Sequence, residues 1–377
     1  MTSRTDNRFA HIDAMRALAV MLVVVAHAGW GNIVPGGSGV TIFFSISGFI
    51  ITYLLLRERD RTGGFKMGGF YLRRAVKIGP PLLVCVIIPT VILGVIKTIN
   101  WAPVVGILFF YYNWFKAAGY PDAPLPGSGV VWSLSIEEQF YLGFAIIWVL
   151  TIRSRVRLRW LAAAAGLAAV VSLGLRILLA SGPEDRIYYG SDTRLDGIAL
   201  GIVTAIAFHY SLRQSGAVQK VVHWCMRDSV FFAAVLLYLL SLVIRDDWFR
   251  NTLRYTFQSV AACLVILYGF GTYESRTRAV FNTLARLRLV RFIGLSSYSI
   301  YLIHITAMYY VYDLTEGLSD QVRTAVLAVA GTVSGMLIYL AVERPVQRLR
   351  RTNPALRRAC DPGIERATAT VEPATAK

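Results

Sequence analysis

The chain has 377 residues, 55% of them hydrophobic and only 16% charged, with a mean hydropathy of +0.53. Soluble domains carry about 25% charged residues, so this composition excludes a soluble domain of useful size. It points instead to an all-α, polytopic integral membrane helical bundle. The net charge of +17 would suggest nucleic acid in a soluble protein. Here the basic residues fall in short clusters between apolar runs, where they act as topology signals, and no nucleic-acid partner is expected.

About ten transmembrane helices are predicted, near 13–31, 38–56, 79–97, 132–151, 158–180, 195–212, 229–245, 252–272, 292–312 and 322–342. One more apolar segment, Ala102 to Phe115, is short and holds Pro103, Asn113 and Trp114. Read as an interfacial or re-entrant piece, it leaves every basic cluster on one side: Arg57 to Lys77, Arg153 to Arg159, Arg213 to Arg227, Arg276 to Arg291 and Arg344 to Arg358. That asymmetry puts both termini in the cytoplasm. Residues 1–12 then form a cytoplasmic segment, 13–345 one transmembrane domain, and 346–377 a basic, disordered cytoplasmic tail. The first apolar run lacks a small-residue cleavage site and reads as an uncleaved span.

The first span carries Arg16 and His27, eleven positions apart. That is about three helical turns, so both lie on one face, roughly 16 Å apart along the axis. An ionisable group within the bilayer is expensive to keep and argues for function. In the second span the Ser47-Gly48 step lets a neighbouring helix or a ligand approach the backbone closely. Arg73, Arg74 and Lys77 follow it. They could clamp phosphates or face lipid headgroups. Glu137 and Glu138 open the fourth span. Successive helical residues differ by about 100°, so the two carboxylates point differently, and one could hold an imidazole or a hydroxyl. Asp192, Thr193, Arg194, Leu195 and Asp196 form either a self-satisfied ion cluster or the rim of a polar site. Arg176 is isolated and should pair with an acid at the outer face. In Leu295 to His304, Tyr298 and His304 share a Ser/Tyr-rich helix, where an intramembrane His is more often a hydrogen-bonded structural residue than a catalyst. Cys85, Cys225, Cys263 and Cys360 have neither metal nor disulfide spacing. No metal site, nucleotide loop or nucleophile elbow is present in the sequence.

Five stretches together resemble one family. They are Ile12 to Arg16 with His27; Phe43-Phe44 with Ser47-Gly48-Phe49-Ile50; Phe70 to Pro80; Trp132 to Tyr141; and Tyr298 to His304, with Val342 to Pro345 closing the match. The chain is similar to the acyltransferase-3 family of bacterial membrane O-acyltransferases. The resemblance implies a location in the bacterial inner membrane, acyl-CoA as co-substrate with no permanently bound cofactor, and a hydroxyl acceptor on a sugar. Relatives also include enzymes that acylate macrolide antibiotics. It implies that Arg16 and His27 are essential and that the family's basic pair falls on Arg74 and Lys77. Two positions depart from the pattern: Thr41 replaces a frequent acid, and Gly79 a common aromatic.

Together these readings give an expected mechanism. Arg16, Arg73, Arg74 and Lys77 hold the CoA phosphates, and His27 takes the proton of the acceptor hydroxyl or becomes acylated itself. Glu137 or Asp196 orients the imidazole; Asp13 cannot, lying roughly 21 Å back along the same helix. Ser47, Tyr298, His304 and Arg194 complete the residues expected around the substrates. The lipid bilayer is the expected surrounding, and a homodimer is compatible with the sequence. The competing class is a transporter or flippase with a polar path through the bundle. Consumption of a CoA thioester separates the two.

Overall fold

The computed structural model describes residues 9–151 and 155–360, whose regular structure is all helical, with no strand among them. Ten long helices overlap the ten predicted spans. They are α1 (Ala10–Trp30), α2 (Gly36–Thr62), α3 (Met67–Ile96), α4 (Ser128–Thr151), α5 (Arg157–Leu178), α6 (Ser191–Ser211), α7 (Asp228–Val243), α8 (Leu253–Gly269), α9 (Arg288–Thr315) and α10 (Asp320–Thr352). Seven are long and apolar enough to cross a membrane, and eight if α7 is joined to the bent helix Ala217–Cys225 before it. The other two are α6 and α8. Helix α6 packs on α2, α5 and α8, and thirteen of its twenty-one residues are buried. A helix walled in by protein need not match lipid in apolarity.

Close backbone approach fixes the centre of the bundle. A methyl group at Gly48 of α2 would collide with the Ile198 carbonyl of α6, and one at Gly294 of α9 with the Asp13 carbonyl of α1. Small residues permit such contacts, where packing supplies the association energy that lipid does not. Helix α2 ends at Gly63, whose φ of 69° supplies the left-handed cap, its N–H bonding the Arg59 carbonyl.

The Ala102 to Phe115 segment forms two short helices, Ala102–Leu108 and Tyr112–Ala117, turned at Phe110 with a φ of 56°. The longer, seven residues, reaches about 10 Å and cannot cross a core of about 30 Å. Its elbow is pinned by a buried amide network. Gln139 Nε2 donates to the Phe110 carbonyl (2.6 Å) and to Asn113 Oδ1 (2.8 Å). Asn113 Nδ2 donates to Ser191 Oγ (2.9 Å), which donates in turn to Gln139 Oε1 (2.6 Å).

The basic tail differs from the disorder expected from residue 346. Helix α10 continues through Arg344 and Pro345 to Thr352, and a further helix, α11 (Pro354–Cys360), packs against α3. Residues 361–377 lie outside the described residues, as do Arg153 and residues 1–8 of the expected N-terminal segment.

Candidate active site

Helix α1 presents Arg16 and His27 to α9. Near its start, Arg16 Nε donates to Ser297 Oγ at 3.1 Å. Near its end, His27 Nδ1 lies 3.0 Å from His304 Nε2. The later residue of α1 meets the later residue of α9, so the two helices run parallel. His27 stands in a broken terminal turn, Ala26–Trp30, which Gly29 leaves with a φ of 134°. That turn lifts the imidazole out of the regular helix, and His27 is exposed. His304 is fully buried at 0%, its Nδ1 2.8 Å from the Tyr301 carbonyl and 3.2 Å from that of Ile300.

A cavity of about 370 Å3 is lined from α1, α2, α3, α4, α9 and α10; neither histidine lines it, and Tyr301 is the lining residue whose ring stands next to that of His304. Its apolar wall includes Phe43, Phe44, Ile50, Leu54 and Phe70. Its polar members are Arg16, Arg73, Arg74, Lys77 and Arg350 together with Ser47, Ser133, Glu137, Tyr141, Ser297, Tyr298 and Tyr301. A smaller cavity of about 220 Å3 shares Arg16, Lys77 and Arg350 and adds Asp13, Glu343, Gln347 and Arg351. The cationic residues gather where α1, α3 and α9 begin and α2 and α10 end. Arg73 pairs with Glu58 (2.9 Å) and donates to the Cys360 carbonyl. Arg74 pairs with Glu138 (3.0 Å), and its Cζ lies over the Tyr141 ring, 3.2 Å from the centroid. Tyr298 donates its hydroxyl to the Ile78 carbonyl at 3.0 Å.

Tyr301 joins the cavity to the histidines. Its hydroxyl accepts from Ser133 Oγ (2.8 Å) and donates to the Val130 carbonyl (3.0 Å), while its ring stands 5.9 Å from that of His304. The two carboxylates considered for orienting His27 have other partners. Glu137 Oε1 accepts from Ser47 Oγ at 2.6 Å. Asp196, 2% exposed, forms a 2.7 Å ion pair with Arg176 and accepts from Thr256 Oγ1 at 2.8 Å. Arg176 also donates to the carbonyls of Thr252 and Thr193, so the pair ties α5, α6 and α8 together. Arg194 bonds the Thr41 hydroxyl at 3.1 Å and stacks over Tyr255 at 3.8 Å, while Asp192 pairs with Arg186 at 2.6 Å. The possible Asp192–Arg194–Asp196 cluster therefore resolves into three separate sets of partners. Among the described residues no group of His, Cys, Asp and Glu could hold a metal.

Residues 9–344 match the family model described as an acyltransferase domain, Acyl_transf_3. The chain belongs to the acyltransferase-3 family. Its relatives among curated proteins include "Putative O-acetyltransferase SACOL0978" of Staphylococcus aureus (strain COL), 29% identical over 321 residues, covering 80% of this chain and 51% of that protein. O-acetyltransferase OatA of Staphylococcus aureus (strain NCTC 8325 / PS 47) is 27% identical over 314 residues, covering 80% and 50%. The chain thus spans about half the length of the curated relatives it matches. No solved structure matches it. In this acyltransferase-3 chain, Arg350 and Arg351 lie beyond the matched region, yet both line the smaller cavity and Arg350 the larger one as well. Sequence reasoning passed over them because a run of arginines after the last span reads as a topology signal. The continuing helical register of α10 was the signal that could have found them.

Proposed function

We propose that the protein is a membrane-embedded O-acyltransferase of the bacterial inner membrane. It moves a short acyl group from cytoplasmic acyl-CoA to a hydroxyl of a sugar-containing acceptor, whether surface glycan, glycolipid or macrolide. The observation that carries this reading is the cavity itself. It runs from a cluster of five cations to Tyr301, the residue that backs His304 and so the His27 pair. Phosphates suit the cationic end, where bidentate guanidinium contacts are available. The slim pantetheine arm suits the apolar wall. The side of the bundle holding Arg16, Arg73, Arg74 and Arg350 is the cytoplasmic one by the positive-inside rule, which is where acyl-CoA is found.

In the chemical step, His27 takes the proton from the acceptor hydroxyl as its oxygen attacks the thioester carbonyl. The tetrahedral centre then expels the CoA sulfur, which receives that proton from the imidazole. An ester and free CoA result. The exposure of His27, against the complete burial of His304, leaves room for an acceptor on its open side.

The test is thiol release from acetyl-CoA and propionyl-CoA by purified protein, wild type beside His27→Ala, with sugar and macrolide acceptors. Acceptor-dependent release lost in the variant is the expected result. Equal release by both proteins removes His27 as the base.

A further inference from the structure

The relation between the two histidines carries more than proximity. A carbonyl oxygen only accepts hydrogen bonds. His304 Nδ1 faces the carbonyls of Tyr301 at 2.8 Å and Ile300 at 3.2 Å, so that nitrogen bears a proton. In a neutral imidazole the other nitrogen is then an acceptor. His304 Nε2 is the atom 3.0 Å from His27 Nδ1. His27 Nδ1 must therefore be the donor, and the lone pair of His27 is left on Nε2. We infer that His304 is a positioning residue that locks His27 in the Nδ1–H tautomer, presenting a bare Nε2 to the acceptor hydroxyl. The inference rests on His27 acting as the base only for its catalytic consequence. The tautomer lock itself follows from the hydrogen bonds.

The surroundings hold the lock in place. His304 is fully buried, and Gly331 of α10 stands so close that a Cβ there would come within 3.0 Å of the His304 Cβ. The ring cannot turn over without losing both carbonyls. A carboxylate usually fills this orienting role. Here the orienting group is uncharged, and its far proton is committed to the α9 backbone. No proton can pass through His304 unless that backbone bond breaks. The proton lifted from the hydroxyl by His27 Nε2 consequently stays on that nitrogen until the CoA sulfur leaves and takes it. The O–H and C–S bonds break, the C–O and S–H bonds form, and His304 ends as it began.

The test uses the full chain, labelled with 15N-histidine and reconstituted in phosphatidylcholine–phosphatidylglycerol nanodiscs. The five histidines are few enough to resolve by NMR, and His27→Gln identifies the His27 signals. The expected wild-type spectrum has His27 protonated at Nδ1 and bare at Nε2. In His304→Leu, or His304→Asn if the leucine variant does not fold, His27 should revert to a mixture of tautomers. His304→Gln, whose Oε1 can accept from Nδ1–H, should keep the wild-type form. A wild-type His27 protonated at Nε2, or a tautomer unmoved by His304→Leu, overturns the inference. The matching kinetic expectation is a kcat for thiol release lower by about 100-fold in His304→Leu with an unchanged KM for acetyl-CoA. If the tautomer behaves as expected but His27→Ala still releases thiol at the wild-type rate, His27 is not the base and the lock stands without its catalytic consequence. If wild type releases no thiol with any acceptor, the proposed function fails and the lock still stands.

Discussion

Arg16 and Asp196 show how differently two ionisable residues can be used in one bundle. Arg16 has Ser297 as its hydrogen-bond partner and no carboxylate within ion-pair distance among the described residues, and it lines both cavities. Its charge is thus available to a phosphate. Hydrogen bonds to charged groups contribute about 1.5–3 kcal/mol. Arg16→Ala should therefore raise the KM for acetyl-CoA by about 10-fold or more, and saturating donor should restore much of the rate. Normal activity at low donor would remove Arg16 from the binding site. Asp196 is spent on Arg176 and Thr256 inside the protein. Breaking a buried pair from one side costs about 3–5 kcal/mol, whereas replacing both partners with apolar groups is often near neutral. Asp196→Leu should depress the thermal midpoint in detergent strongly, and Asp196→Leu with Arg176→Leu should recover much of that loss. Equal melting of all three proteins would deny the pair its structural weight.

At the scale of helices, the contact of α2 with α6 is as tight a constraint as that of α9 with α1. Gly48→Ala must push the Ile198 carbonyl away and part the two helices, while Gly79 of α3 has nothing within 4 Å of the position a methyl group would take. Overpacking of this kind costs about 1–3 kcal/mol and often more when backbone is the obstacle. Size-exclusion profiles should show Gly48→Ala aggregated or poorly recovered and Gly79→Ala monodisperse. A monodisperse Gly48→Ala would mean that α2 and α6 can separate freely. Most of the helices were legible in the sequence because apolar length alone announces a span. Residues 195–212 were legible too, but for a different reason than α6 itself supplies: its polar residues have partners on three neighbouring helices, which no local window reveals. The same holds for the site. Arg16 and His27 declare themselves by sharing one helical face. The His27–His304 contact joins positions 277 apart and has no local signature. Reasoning from a local pattern favoured a carboxylate for the imidazole, because a carboxylate is the commoner partner. The α9 backbone carbonyls, which make His304 an acceptor, are invisible until α9 is folded.

Across the whole molecule, α1, α3, α9 and the continuation of α10 bring their basic residues to one end of the bundle, and α11 closes against α3 there. The C-terminal helices are thus part of the mouth. Arg350→Ala and Arg351→Ala should each raise the KM for acetyl-CoA with kcat nearly unchanged, because both lie on the donor side of Tyr301. A loss confined to kcat would place them in the chemistry instead. The resting mouth has a further consequence. Arg73 and Arg74 already hold Glu58 and Glu138, so an incoming phosphate must compete with carboxylates for them, and affinity reflects a difference between two partners. An approaching phosphate is still in solvent, where charges are screened over about 8 Å in physiological salt, whereas the partly buried pairs are screened less. Donor affinity should weaken as salt is added, while the step behind Tyr301 is insulated from it. Free nucleotides carry comparable phosphates and no thioester. With acyl-CoA as the proposed donor, they would occupy the same mouth unproductively in a cell, and the rate of acylation would follow the ratio of acyl-CoA to the nucleotide pool.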